Sequence, residues 1–185
     1  MEATSYLNAN DPKPASVISD SDRPQRLALY GVWELPFGRL APRHAVGRRL
    51  AGGWQVSWVA TFQSGEALAF SGAERTRRSG NDPHRIDQWF DITQFVSLEP
   101  FTLPALSARV ADLRAPGTRK WDLTLMKNVP IREKLTFRFQ VEAYNAFNTT
   151  HLDLPNTTVT SRSFGWITGT ALAPRNIQLA ARLLF

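Results

Sequence analysis

Three histidines, His44, His84 and His151, are the first candidates for acid–base or metal chemistry in this sequence. They lie far apart, in segments read as turns or loops. A triad or a metal site needs partners that fold alongside it, and no ligand-spaced cluster accompanies any of the three. They read as ordinary loop histidines. Asp82, Asp87 and Asp91 could offer carboxylate oxygens to calcium, but their spacing lacks the loop-and-glycine pattern of an EF-hand; they read as exposed loop acids. Asn148-Thr149-Thr150 and Asn156-Thr157-Thr158 match the glycosylation sequon, a pattern of little weight in a chain of bacterial character. Gly52-Gly53 is followed by no Lys-Ser/Thr, so it is a pair of turn residues rather than a phosphate loop. There is no cysteine, which removes disulfides and thiolate metal sites. The sequence thus predicts no catalytic residue, no metal and no cofactor, and an enzyme ranks last among the functions considered.

The formal charge of +6 rests mostly on arginine, since the only lysines are Lys13, Lys120, Lys127 and Lys134. A basic balance can mean nucleic acid or another phosphate-rich partner. Here the charges are dispersed, as expected of arginines that line a polar lumen or decorate loops, and no nucleic-acid partner is expected. Two local clusters stand out, Arg48-Arg49 and Arg75 to Arg78. The second falls in a long loop and could meet the phosphates of surface lipid; a solvated loop is the competing reading.

These side chains must be positioned by strands. The hydrophobic fraction is 43%, and no apolar run approaches the roughly 18 residues of a transmembrane helix. From Leu135 to Tyr144, however, Leu135, Phe137, Phe139, Val141 and Ala143 alternate with Thr136, Arg138, Gln140, Glu142 and Tyr144. As a helix this would scatter charge over every face; as a strand it has one apolar and one charged face. The same design recurs in Trp54–Gln63, in Trp121–Met126 and in Ile177–Phe185. A weaker version runs through Leu27, Leu29, Trp33 and Leu35, interrupted by Gly31. About five strands result, each near the roughly 9 to 11 residues that a tilted strand needs to cross a bilayer.

The connections differ in length. A short turn is expected near Asn128–Glu133, with Pro130 stopping the pairing. The stretch from Pro36 to Gly53 is intermediate, whereas Ser64–Thr118 and Asn148–Ala173 are long loops. Because antiparallel strands reverse at each connection, both long loops fall on one side, the pattern of short periplasmic turns and long extracellular loops in outer-membrane barrels. A soluble sandwich seldom carries a loop of about 50 residues without a functional reason.

On this reading Trp54, Val56, Trp58, Phe62, Trp121, Leu123, Leu125, Leu135, Phe137, Phe139 and Val141 face lipid. Asp122, Arg138, Gln140, Glu142 and Arg182 face the lumen, where opposite charges can pair across strands. Trp33, Phe37, Trp54, Trp121, Phe147 and Phe185 fall near strand ends, where aromatic rings form interfacial girdles. The closing Ile177, Leu179, Ala181, Leu183 and Phe185 look like the C-terminal signal read by the outer-membrane assembly machinery. A soluble β-sandwich that stacks tryptophan on sugars is the rival architecture, and a non-transporting outer-membrane scaffold or adhesin the rival function. Met1–Tyr6 has no basic region followed by an apolar core and is not a signal peptide, so a chain working outside the cytoplasm would lack something upstream.

With the strands in place, a series of local motifs resembles the C-terminal region of TonB-dependent receptors. The subgroup is the large kind with a carboxypeptidase-regulatory-like domain at its N-terminus. The matching stretches are Glu34-Leu35-Pro36-Phe37-Gly38, Gly52-Gly53-Trp54-Gln55, Trp89-Phe90-Asp91 and Arg114-Ala115-Pro116-Gly117. Asp122 with Lys127, the run Phe139–Asn148, Phe164-Gly165 and Arg175–Phe185 complete the set. The similarity covers nearly the whole chain from about Ser21, and its strength lies in the order and spacing of motifs that are individually weak. One departure is Glu66-Ala67-Leu68, where a proline is expected shortly after Gly65.

The resemblance implies an all-β, antiparallel barrel of 22 strands filled by an N-terminal plug, with energy-coupled import of a scarce ligand. This chain would supply its last five strands or so: residues 1–24 as an extracellular loop remnant, and 25–185 as strands with long loops at about 64–118 and 148–173. The implied partners are outer-membrane lipid and lipopolysaccharide, the barrel-assembly machinery and the rest of the barrel and plug, with TonB reached only through the missing N-terminal part. Five strands cannot close such a barrel, so the outer two would present unpaired edges. The chain therefore reads as a fragment, a split-gene product or an excised domain, poorly soluble by itself.

Overall fold

A computed structural model describes residues 17–40, 47, 49, 51–102 and 105–185. Residues 1–16, His44 and Arg48 lie outside the described residues. The chain divides into two compact units, one formed by Met1–Arg26, Gln63–Thr118 and His151–Leu172, the other by Leu27–Phe62, Arg119–Thr150 and Ala173–Phe185.

The second unit is built on the alternating segments. Strands β1 (Arg26–Glu34), β2 (Trp54–Gln63), β7 (Thr118–Arg132), β8 (Leu135–Tyr144) and β9 (Asn176–Leu184) form one sheet in the order β1-β2-β7-β8-β9. It is an open meander with β1 and β9 at its edges. A single helical turn, α1 (Phe37–Leu40), follows β1. The third strand is longer than its alternation indicates, because β7 continues through Pro130. That proline does not stop the pairing: it lies opposite Thr136, and the register shifts between Pro130 and Arg132. A bulge is a place where the ladder tolerates a residue without an N–H, so the hairpin turn shrinks to Glu133-Lys134.

Gly31 breaks the apolar alternation of β1 for a steric reason. A Cβ there would come within 2.2 Å of the Trp58 indole, so glycine lets the ring lie across the neighbouring strand. Gly53, at φ +74°, starts β2 with its backbone against Asn128, whose N–H donates to the Gly53 carbonyl at 2.8 Å.

The first unit gives the long loops short strands and a core of their own. Within it, β3 (Ala67–Leu68) pairs with β6 (Val110–Arg114), and β4 (Ala73–Arg75) pairs with β5 (Phe95–Ser97). A 3-10 turn at Ile92–Gln94 is capped by Asp91, whose carboxylate accepts the Thr93 N–H at 3.0 Å. The unit has its own core of Leu68, Phe70, Ala73, Phe90, Phe95, Val110, Leu113, Ala115 and Phe164. Phe70 stacks on Phe95 at 4.2 Å, while Phe90 and Phe164 meet edge to face at 5.3 Å. Phe164 belongs to the second long connection. That connection is tied to the first by hydrogen bonds from Trp89 N–H to the Gly165 carbonyl and from Ile167 N–H to the Ile86 carbonyl, both 2.8 Å. The two long connections fold as one body around shared aromatic rings.

Candidate functional site

Directly opposed residues of antiparallel strands project from the same face. Leu123 lies opposite Ala143, Leu125 opposite Val141 and Val129 opposite Phe137. Across the next ladder, Phe137 meets Leu183, Phe139 meets Ala181, Val141 meets Leu179 and Ala143 meets Ile177. Leu135, whose partner is Arg132 just past the bulge, continues the row on β8. Trp58 over Gly31, Trp54 beside Lys127, and Phe62 edge-on to Trp121 at 5.9 Å add Val56 and the rest of that side of β2. The apolar residues singled out by alternation are thus gathered on one surface. They do not form a core: Leu179 is 69% exposed and Trp33 58%, and the buried aromatic cluster of the described residues lies wholly in the other unit.

The aromatic rings divide between the two strand ends. Phe62, Trp121 and Phe147 lie at the ends joined by the long connections, with Trp121 meeting Phe147 at 5.8 Å. Trp33, Trp54 and Phe185 lie at the opposite ends, and Phe37 follows β1 there. Ten residues at about 3.3 Å each, tilted by about 40°, separate two such levels by roughly 25 Å, the height of the apolar band of an outer-membrane barrel.

One member of the apolar surface is a cation. Lys127 faces Phe139 across the ladder and is 7% exposed. Its ammonium donates to the Arg49 carbonyl at 2.9 Å and to the Gly52 carbonyl, 5.1 Å from the centre of the Trp54 ring. The alternation read from sequence ends at Met126 and names Lys127 only in the motif with Asp122; its odd-numbered place in the longer β7 is the signal that puts it on this surface. The charge is tolerated because backbone carbonyls at the end of the sheet satisfy it.

The opposite surface carries Arg138, Gln140, Glu142 and Arg182 in register. Arg138 sits between Asn128 and Arg182, and Glu142 between Thr124 and Gln178. This corrects the expected cross-strand charge pairing. Arg138 Nε donates to Asn128 Oδ1 at 2.9 Å, while Glu142 accepts from Gln140 and, at 2.9 Å, from the Tyr144 hydroxyl. Asp122 pairs with Lys120 on its own strand at 2.8 Å and accepts the Asn145 N–H at 2.9 Å. The register, which alternation leaves undetermined, puts two arginines opposite each other.

The Tyr144-Asn145-Ala146-Phe147-Asn148 motif is a turn lock. Asn145 (φ 49°) and Asn148 (φ 53°) both adopt the left-handed conformation, which asparagine tolerates better than most residues. The buried Asn145 amide donates to the carbonyls of Thr149 and Ala173 and accepts the Thr149 N–H at 2.9 Å; Asn148 Oδ1 accepts the Arg175 N–H at 3.0 Å. Asn156, the other sequon residue, spends its amide on Ser161 and Ser163 at 3.0 and 2.8 Å.

Further side chains of the long connections depart from their expected roles. Arg75 is buried against Phe95. It holds Asp112 through two hydrogen bonds of 2.9 and 3.0 Å and Gln94 at 2.7 Å, so Arg75 to Arg78 is not one exposed basic cluster. The Arg75 hydrogen bonds keep the Asp112 carboxyl below its usual pKa. Asp82 accepts the Asp91 N–H at 2.9 Å and Asp91 holds Thr93, so both are half-buried fold residues; of the three aspartates Asp82, Asp87 and Asp91, Asp87 alone is exposed, paired with Arg85. His84 packs edge-on against Trp89, and His151 is buried at 3% exposure rather than lying on a loop surface. Among the described residues no His, Asp and Glu cluster could hold a metal ion.

A one-sided antiparallel sheet with an exposed apolar surface between two aromatic levels defines the class of outer-membrane β-barrel walls. The family model of the outer membrane beta barrel domain matches residues 2–178. The chain belongs to that family and is an outer-membrane protein. No curated protein and no solved structure matches it.

Proposed function

We propose that the chain is the C-terminal wall of a TonB-dependent receptor barrel of 22 strands, which imports a scarce ligand by energy-coupled transport. The observation that carries this reading is the open sheet. Its edges, β1 and β9, belong to single outer strands, and an apolar sheet edge in lipid must find a partner strand. Further strands of the same barrel meet that need, and a plug occupies the interior faced by Arg138, Gln140, Glu142 and Arg182. The resemblance supports the specific class, because its motif residues are the ones that hold the sheet. Gly53 and Lys127 tie β2 to β7, and Asp122, Asn145 and Asn148 lock the turn after β8.

In this reading Trp54, Phe139, Val141 and their row meet outer-membrane lipid. Ile177, Leu179, Ala181, Leu183 and Phe185 present the strand read by the assembly machinery, and TonB is engaged only by the plug. The test has two parts. The coding sequence upstream should encode a plug domain, and uptake through the receptor should stop when TonB is deleted. An upstream region without a plug, or a barrel whose function survives that deletion, would instead identify a scaffold or adhesin.

A further inference from the structure

We propose that the unit formed by the long connections carries a binding groove for a small hydrophilic acid, a polyhydroxylated body bearing one carboxylate or phosphate. A cavity of 610 Å³ is lined by Asp20, Ser21, Arg23, Arg26, Gln63, Glu66 and Arg109. No lining residue is aromatic or aliphatic, so an apolar ligand would have nothing to bury against. Arg23 is committed: it donates to the carbonyls of Asp20 and Asp22 and to the Glu66 carboxylate. Arg109 donates to the Ala67 carbonyl at 2.7 Å and lies 4.0 Å from Glu66. Glu66 is therefore shared between two guanidinium groups, and its charge is spent within the wall.

Arg26 is different. It is exposed at the start of β1 and has no hydrogen-bond or ion-pair partner among the described residues. Its planar fork is suited to bidentate capture of a carboxylate or phosphate. Asp20 lines the groove and takes the Ser19 and Ser21 hydroxyls on Oδ1, which leaves Oδ2 as an acceptor for ligand hydroxyls. Three arginines against two acids give the lining a net charge of +1. One anionic group, flanked by hydroxyl donors, is the complement of that pattern.

The inference rests on the receptor reading for the fate of the ligand, while binding is measured independently of transport. Calorimetry on the intact outer-membrane protein in detergent, at low salt, compares glucuronate, glucose 6-phosphate and glucose. The two acids share the body of glucose and separate carboxylate from phosphate recognition. At least one acid should bind about tenfold more tightly than glucose, the scale of one charge-assisted contact. Arg26→Gln should erase that advantage, and Arg162→Gln, an exposed arginine outside the groove, should leave it intact. Equal binding of all three sugars, no binding of any, or indifference to Arg26→Gln would overturn the proposal. Binding lost on Arg26→Gln but without TonB-dependent uptake would leave the groove standing and remove the receptor reading. TonB-dependent uptake of a ligand, with both acids ignored by the groove, would do the reverse.

Discussion

Lys127 holds its ammonium 5.1 Å from the centre of the Trp54 ring while donating to the carbonyls of Arg49 and Gly52. The pair fixes the link between β1 and β2 to β7. A lysine on the apolar surface is costly when its head is unmet; here, opposite Phe139, the stem covers apolar surface and the head reaches backbone oxygen. Lys127→Met keeps the stem and removes the donors. It should cost about 1.5–3 kcal/mol, as for loss of hydrogen bonds from a charged group, read from urea-dependent folding into lipid vesicles. Unchanged stability would mean that the link is held by other contacts.

Gly31 and Trp58 form a second coupled pair across β1 and β2. Gly31→Val must displace the indole, whose nearest atom lies 2.2 Å from the new Cβ position. Overpacking of this kind costs about 1–3 kcal/mol. Trp58→Ala should cost stability by itself yet relieve most of the Gly31→Val penalty, giving a coupling energy of at least 0.5 kcal/mol, on the order expected for residues in contact. Simple additivity of the two changes would contradict the packing described.

The ion pair of Arg75 and Asp112 makes the long-connection unit sensitive to acid. The Asp112 carboxyl titrates below its usual range because Arg75 donates to it. A depressed folded-state pKa contributes stability that is fully present above the unfolded value, near 4, and is lost as pH falls through the lower folded value. Thermal unfolding followed by tryptophan fluorescence should therefore show a stability loss below about pH 4, with Asp112→Asn showing a smaller acid-dependent loss. An Asp112→Asn profile parallel to that of the unaltered protein would rule this pair out as the source.

Asn145 tests the turn after β8. Asn145→Ala removes a buried amide that makes three hydrogen bonds and leaves alanine at φ 49°. A loss of roughly 2–4 kcal/mol is expected from unmade hydrogen bonds and left-handed strain together. Asn145→Gly, which relieves only the strain, should recover part of it. If glycine and alanine were equally damaging, the backbone conformation would carry none of the cost.

The sheet was legible because its strands repeat with period two over nine or more residues, enough to specify both faces of β2, β8 and β9. Pro130 misled because its missing N–H matters only inside a regular ladder, and it sits beside the register shift that closes the hairpin. The long connections were opaque for another reason. Strands of two to five residues leave no period to detect, and the core joins Phe70, Phe90 and Phe95 to Phe164. Arg75 read as one of a basic run because Asp112, the partner that buries it, lies 37 residues away. The apolar surface itself was visible from Leu135–Tyr144; the facing of Arg138 and Arg182 needed the register.

The most direct measurement compares two neighbouring residues on opposite faces of β8 in the membrane-inserted barrel. Phe139→Arg should cost about 2–4 kcal/mol in folding into lipid vesicles, as for a cation placed on the lipid face near the bilayer midplane. Arg138→Gln, on the other face, should be far milder. A large penalty confined to Phe139→Arg is the predicted result; equal penalties at the two positions would contradict the assignment of this surface to lipid.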